Sequence, residues 1–276
     1  MTYPLATVTA ALDALYPPET AEGWDSVGLI AGDPAAPVAK VLFAVDPVST
    51  VIDEALADGV DLVVTHHPLF LRGVHSVAAD SFKGAVVHRL IRGGAALYNA
   101  HTNADSAERG VADALADLLG LQERIPLVAG DDAGRGLGRV GLLPHPMALG
   151  DFARLVVEQL PATAQGARVA GDLQAPVRRV AVLPGSGDSL FAAVRAAQAD
   201  VYVTSDLRHH PASELRERAE FEGGRPALVD VAHYAAEWPW LRYAAADLAR
   251  ALPGLECLVS ARSTDPWAVV VHPTNR

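Results

Sequence analysis

The chain's 276 residues and 28.9 kDa, half of them hydrophobic and 20% charged, can bury a large core as one α/β unit or as two halves of about 130 residues each. No apolar run reaches the roughly 18 residues that a membrane helix needs. The formal net charge of -11, from 33 acidic and 22 basic residues with scattered arginines, leaves no cationic footprint for a phosphate backbone, so nucleic-acid binding is not expected.

Leu5 to Tyr16 reads as a helix stopped by Pro17-Pro18, and Ala21 to Gly32 as a loop with a short strand. Val41 to Val45 is a buried-strand candidate, Ser49 to Asp58 a helix closed by Gly59, and Val60 to Thr65 a strand apolar enough to be covered on both faces. His66-His67-Pro68 follows at its carboxyl end, where open α/β sheets bind ligands. Then come a helix from about Phe82 to Arg92, the break Gly93-Gly94, a strand Ala95 to Ala100, the segment His101-Thr-Asn-Ala-Asp105, and an alanine-rich helix Ser106 to Leu119. Gly130 to Gly141 marks a boundary, giving domains 1–129 and 130–276. Beyond it are strands around Val140 to Leu143, Ala167 to Val169 and Val180 to Leu183, with helices Leu149 to Leu160 and Ser189 to Ala199.

The two halves repeat each other. Ala57-Asp-Gly-Val-Asp-Leu-Val-Val-Thr-His66 lies over Ala196-Ala-Gln-Ala-Asp-Val-Tyr-Val-Thr-Ser205 without a gap. Gly93 to Asp105 parallels Gly223 to Glu237, each holding Gly-Gly, a strand, His-x-x-x-carboxylate and a following helix, with two extra residues in the second copy. The expected fold is therefore α/β: two similar domains related by pseudo-duplication, with mixed sheets covered by helices.

Six of the ten histidines, His66, His67, His101, His209, His210 and His233, fall in or just after these segments. Imidazoles and carboxylates are the ligand types of zinc, iron, manganese, cobalt and nickel. Consecutive extended residues point oppositely, so His66 and His67 share one ion only if the chain turns between them, whereas two ions relieve that constraint. The plainer alternative is one packed and one exposed histidine. His101 and Asp105, like His233 and Glu237, share a face if helical; helix capping is the plainer role for both carboxylates. Asp46 follows the Val41 strand and faces the site by topology. At the matching place, Gly185-Ser-Gly187-Asp188 is either an anion-holding loop or a tight turn, and it lacks the ending of a nucleotide loop. Asp206, His209 and His210, together with His101, suit ligand orientation and proton handling, against plain exposed loop residues. The four tryptophans read as core or interface anchors. Two divalent ions outweigh two carboxylates, so such a centre would draw an anionic substrate and activate water for hydrolysis. A non-catalytic regulatory or scaffold protein would use the same ligands.

Gly23-Trp-Asp-Ser-Val-Gly-Leu29, Val64-Thr-His-His-Pro-Leu-Phe70, Asn99-Ala-His-Thr-Asn-Ala-Asp105, Thr204-Ser-Asp-Leu-Arg-His-His210, Asp230-Val-Ala-His-Tyr-Ala-Ala-Glu237 and Ser263-Thr-Asp-Pro-Trp267 run in one order along the chain. In them the sequence resembles the dinuclear-metal GTP cyclohydrolase type-2 homologues, also called NGG-one-interacting factor three-like proteins. The resemblance implies His66, His67, Asp105, His233 and Glu237 as the ligands of two divalent ions. It also implies two similar α/β domains and a homo-oligomer, a ring-like hexamer. The short connection between the halves leaves no room for the inserted ferredoxin-like domain of some longer relatives. Ser26, Ser205 and Ala236 depart from the family's usual asparagine, glycine and threonine. Cys257 is the single cysteine, so no intrachain disulfide forms; with a start, Met1-Thr-Tyr-Pro-Leu, unlike a secretory signal, a cytoplasmic protein is expected.

Overall fold

The first helix forms where the apolar spacing and the double proline place it. In the computed structural model, which describes residues 1–130 and 134–272, α1 runs Leu5–Leu15 after β1, Tyr3–Pro4, burying Leu5, Val8 and Leu12 on one side. Then come β2 Gly28–Ala31, β3 Pro37–Val38, β4 Lys40–Ala44, α2 Ser49–Ala57, β5 Leu62–Thr65, α3 Phe82–Gly93, β6 Ala96–Asn99 and α4 Thr102–Ser106. The chain continues with α5 Val111–Leu118, β7 Gln122–Ala129, β8 Gly136–Ala148, α6 Leu149–Gln159, β9 Ala167–Ala170, β10 Pro176–Ser186, α7 Phe191–Ala196, β11 Val201–Ser205, α8 His209–Phe221, β12 Ala227–Val231, α9 His233–Ala251 and β13 Glu256–Val259.

By compactness the chain divides into unit 1, Met1–Gly110 with Leu241–Thr264, and unit 2, Val111–Trp240 with Asp265 onward, which differs from one cut at 129/130. Strand pairing explains the difference. β13 pairs in parallel with β4 of the first unit, and β7 pairs with β8 of the second. Of the expected boundary Gly130 to Gly141, residues 131–133 lie outside the described residues.

Unit 1 carries a five-stranded sheet in the order β13-β4-β5-β6-β2, parallel except for β2. Every residue of β5 and β6 is buried, as the continuous apolar run of a sheet covered on both faces requires. Unit 2 has a six-stranded sheet, β7-β8-β10-β11-β12-β9, in which β10, β11 and β12 are parallel and the rest antiparallel. In both units three parallel strands in sequence order are flanked by an antiparallel edge strand. The parallel strands end on one side in polar residues.

The likeness of the halves extends to single hydrogen bonds. Asp61 Oδ2 accepts from the amides of Ala39 and Lys40 at 2.8 and 2.9 Å, and Asp200 Oδ2 accepts from those of Arg178 and Arg179 at 2.9 and 2.8 Å. Leu5 N–H donates to Ala36 O at 2.8 Å and Leu149 N–H to Ala175 O at 2.9 Å. Gly32 and Gly171 both sit at φ 146°, where a Cβ would stand 2.6 Å from Ala96 Cβ and 2.8 Å from Ala227 Cβ, so only glycine lets each edge strand close on its neighbour. These repeats are consistent with internal duplication. One detail of the alignment changes. Ala96 N–H donates to Asp61 O and Ala227 N–H to Asp200 O at 2.8 and 2.9 Å, and counting onward from these puts Ala232, not His233, at the place of His101.

Several elements differ from the reading of the sequence. The helix expected over Ser106 to Leu119 is broken between α4 and α5, where Arg109 takes φ 56° and Gly110 packs so closely that a Cβ would lie 2.1 Å from Ala104 O. β7 had no apolar alternation to announce it, since its residues are exposed or half-buried throughout. α9 begins at His233, ahead of the expected start near Trp238, and carries Pro239 within its first turns. Of the tryptophans, Trp240 is wholly buried, while Trp24 and Trp267 are 62% and 68% exposed and so are no core anchors within the chain.

Candidate metal centre

In unit 1, β5 delivers His66 and His67 at its carboxyl end. His66 N–H bonds to Ala44 O and His67 N–H to Val45 O, at 3.1 and 2.8 Å, through a bend rather than straight strand. The bend supplies the turn that a shared site demands: the two rings lie 5.1 Å apart between centroids, and His101 lies 5.2 Å from His66 and 5.6 Å from His67. One ligand nitrogen from each of the three lies within 4.8 Å of the others.

Each ring is fixed through Nδ1. His66 Nδ1–H donates to Ala100 O at 2.9 Å, His67 Nδ1–H to Asp46 Oδ1 at 2.6 Å, and His101 Nδ1–H to Asp25 at 3.0 Å. Thr264 Oγ1 donates to the other oxygen of Asp46. Thr102 donates to Asp25 through its amide and its hydroxyl, at 3.1 and 2.6 Å. A carbonyl or carboxylate on Nδ1 selects the tautomer whose lone pair is on Nε2, the arrangement by which proteins orient metal-binding imidazoles. His66 Nε2 stands 3.6 Å from Asp105 Oδ1. Burial, then the neighbouring His66, pushes the pKa of His101 down to about 4 against the opposing pull of Asp25, so the ring is neutral at neutral pH. Burial acts to raise the Asp25 pKa, but the hydrogen bonds from Thr102 and His101 outweigh it, and the carboxyl is held below its usual range.

In unit 2, α9 opens with His233 and carries Glu237 one turn on, so the expected common helical face is present: His233 Nε2 lies 2.9 Å from Glu237 Oε1. His233 Nδ1–H donates to Asp206 Oδ2 at 2.7 Å, and that bond, against burial, holds the Asp206 carboxyl below its usual range. Glu237 is only 3% exposed. Gly185, at φ 79°, leaves room beside it: a Cβ there would meet Glu237 Oε1 at 3.0 Å and the His233 ring at 3.6 Å. Tyr202 and Thr204 hydroxyls donate to the Gly187 and Gly185 carbonyls at 3.1 and 3.0 Å, which fixes the 185–187 turn on its carbonyl side.

A lone-pair nitrogen facing a carboxylate oxygen is repulsive unless a proton or a cation lies between them. Atoms bound tetrahedrally to one ion at about 2.0–2.2 Å are about 3.3–3.6 Å apart, which the 3.6 Å of His66 Nε2–Asp105 Oδ1 matches and the 2.9 Å of His233 Nε2–Glu237 Oε1, a hydrogen-bond distance, does not. His66, His67 and His101 form a group that could hold a divalent cation, and His233 and Glu237 belong to a second such group. Glu237 lies a full turn inside α9, away from a capping position, whereas Asp105 lies in the first turn of α4, where a carboxylate also suits the helix terminus. His210 sits in the first turn of α8, exposed, with His209 as its ring neighbour at 5.2 Å. Asp25 was passed over in the sequence, although it lies in the Gly23 to Leu29 segment. An acid in a loop 76 positions from the ring it orients has no spacing signal.

The family model described as Duf34/NIF3 (NGG1p interacting factor 3) matches residues 4–266. A "GTP cyclohydrolase 1 type 2 homolog" of Streptomyces coelicolor is 53% identical, covering 97% of this chain and 94% of its own. A protein of the same description from Clostridium perfringens is 31% identical over 94% of this chain and 97% of its own. Among solved structures, a hypothetical protein of Staphylococcus aureus superposes with TM-score 0.87 at 26% identity, covering 97% of this chain and 99% of its own. A Bacillus cereus protein related to NIF3, at 24% identity and TM-score 0.84 over 97% and 99% of the two chains, shares the fold.

Proposed function

Because the chain belongs to the Duf34/NIF3 family, we propose that it is a metal-dependent hydrolase acting on an anionic or nucleotide-like small molecule, with His66, His67, Asp105, His233 and Glu237 holding two divalent ions. The observation that carries this reading is the pairing, found separately in each unit, of an Nδ1-anchored imidazole with a carboxylate oxygen, at 3.6 Å for His66–Asp105 and 2.9 Å for His233–Glu237. Bound divalent ions would supply Lewis acidity and a water acidic enough to ionise near neutral pH.

The chain's own residues do the rest. Asp46 and Asp206 keep the Nε2 lone pairs of His67 and His233 aimed. Asp25 does the same for His101, whose neutral ring is a proton acceptor beside His66 and His67. His210, exposed at the start of α8, is the third residue assigned to the reaction. Two carboxylates do not neutralise two divalent ions, so the occupied centre attracts anions within an acidic protein. The relatives' description as GTP cyclohydrolase 1 type 2 homologues makes GTP the first substrate to try. Zinc, iron, manganese, cobalt and nickel all suit this donor set. A cytoplasmic homo-hexamer is the expected state.

Metal analysis of purified protein, followed by a screen of GTP, other nucleotides, phosphoesters and cyclic amides with and without chelator, tests the reading. His67→Ala and Glu237→Ala are expected to lose bound metal and at least about a hundredfold in turnover with an unchanged circular dichroism spectrum. Stoichiometric metal without turnover across the screen would instead establish a regulatory or scaffold protein.

A further inference from the structure

Unit 2 has a concavity that unit 1 fills. In unit 1 the long segment between β5 and α3 tucks Leu69 and Phe70 into the cluster that also holds Ile30, Ala31, Val87 and Leu97. In unit 2 the corresponding connection is only Asp206 to Arg208, which sends one apolar side chain, Leu207, against the core where unit 1 sends Leu69 and Phe70. Ala95 N–H donates to Leu90 O as Gly224 N–H does to Ala219 O, which puts Arg216 at the place of Val87. A cavity of about 380 Å³ results, within the size range of small-molecule sites, floored by Leu207, Ala212 and Leu228 between α8 and the edge strand β9.

Its polar lining is rich in guanidinium groups. Arg168, Arg208 and Arg216 line it, and each meets a carboxylate of this chain, Asp230, Asp188 and Glu220 respectively, of which only Asp230 is in the lining. The first two side chains are 61% and 75% exposed; their partners, Asp230 and Asp188, hold them in solvent-exposed pairs that an incoming anion can share. The 13-residue α8 starts at the cavity, with no side-chain cap and no acidic residue in its first turn. Asp230 is 4% exposed; its carboxylate pairs with Arg168 and lies by the Leu207 amide, and its Oδ1 keeps acceptor capacity at the cavity wall.

We propose that this cavity is a binding site for a mononucleotide-like anion: phosphate between Arg168, Arg208 and the start of α8, a flat body over Leu207, Ala212 and Leu228, and an N–H donor turned to Asp230. The site is independent of the proposed hydrolytic centre and does not rest on it. Arg208 and Leu207 are nonetheless the chain neighbours of Asp206, which orients His233, so occupancy would be felt one residue from that ring.

Calorimetric titration of the full chain, stripped of metal by chelation, with AMP, adenosine and inorganic phosphate tests the proposal. AMP is expected to bind once per chain, at least about tenfold more tightly than adenosine or phosphate alone, and equally well to His67→Ala. Arg208→Glu and Arg168→Glu, at exposed positions, should each weaken it at least about tenfold, and Ala212→Trp, which fills the cavity, should abolish it. Absence of AMP binding up to about 10 mM would overturn the proposal. So would phosphate matching AMP, or binding lost in His67→Ala but unchanged in Arg208→Glu and Ala212→Trp, which would place the anion at the metal ligands.

Discussion

Single residues set the protonation of the candidate centre, and His101 shows how. The unfolded chain takes up a proton on this imidazole at about 6.5, the folded chain only near 4, because burial and the adjacent His66 oppose the charge. Between those values the unfolded state binds the proton and the folded state does not, so stability falls as the pH falls through the window and is level above it. In metal-free protein this ring alone should account for up to about 3 kcal/mol between pH 6.5 and 4. Urea titrations across that range should show a shallower pH slope for His101→Asn; an unchanged slope would show that the ring does not titrate as described. The histidines were legible in the sequence because they stand at the ends of apolar strands. Their orienting acids were less so. Asp46 was visible from topology, but Asp25 and Thr264 reach their partners only through the tertiary fold.

At the scale of elements, the junction of α5 with β8 shows what a propensity scan cannot see. Arg139 is 2% exposed, donates through Nε and Nη2 to the two oxygens of Asp113 at 2.7 and 2.8 Å, and also reaches the carbonyls of Gly136 and Gly138. Removing the acid takes from this buried guanidinium the carboxylate that meets it in two parallel bonds, and breaking a buried pair typically costs about 3–5 kcal/mol. Asp113→Ala should lower the urea midpoint accordingly, while the double substitution Asp113→Leu with Arg139→Met should recover most of the loss; equal losses in both would mean that packing, not charge, dominates. The strands of both parallel cores were readable from their unbroken apolar runs. β7 was not, because an exposed edge strand has no buried face to impose a period of two. The break between α4 and α5 was hidden for a related reason: alanine and leucine favour helix on both sides, and the interruption comes from close packing at Gly110.

Across the whole molecule, the repeated strand segments seen in the sequence correspond to repeated backbone hydrogen bonds, from Asp61 and Asp200 to the glycines at 32 and 171. The polar strand ends do not repeat: His66 answers to Ser205, and the place of Asp46 falls in the 185–188 turn, where the register of β10 shifts. A gapped alignment put His233 opposite His101, whereas the ladder puts it one residue on, because sequence matching rewards identical letters and hydrogen bonds count positions.

The lone thiol on β13 has a practical corollary. Cys257 is half-buried, and that burial pushes its pKa up to about 11, so at pH 7 roughly one molecule in ten thousand carries the reactive thiolate. Maleimide or disulfide reagents should leave the native protein almost unmodified at neutral pH and label it quickly in urea; rapid native labelling would contradict the burial account. A cysteine installed at exposed Ser213 should react about two orders of magnitude faster, so fluorophores and spin labels can be attached at the rim of the arginine-lined cavity without first engineering a cysteine-free background.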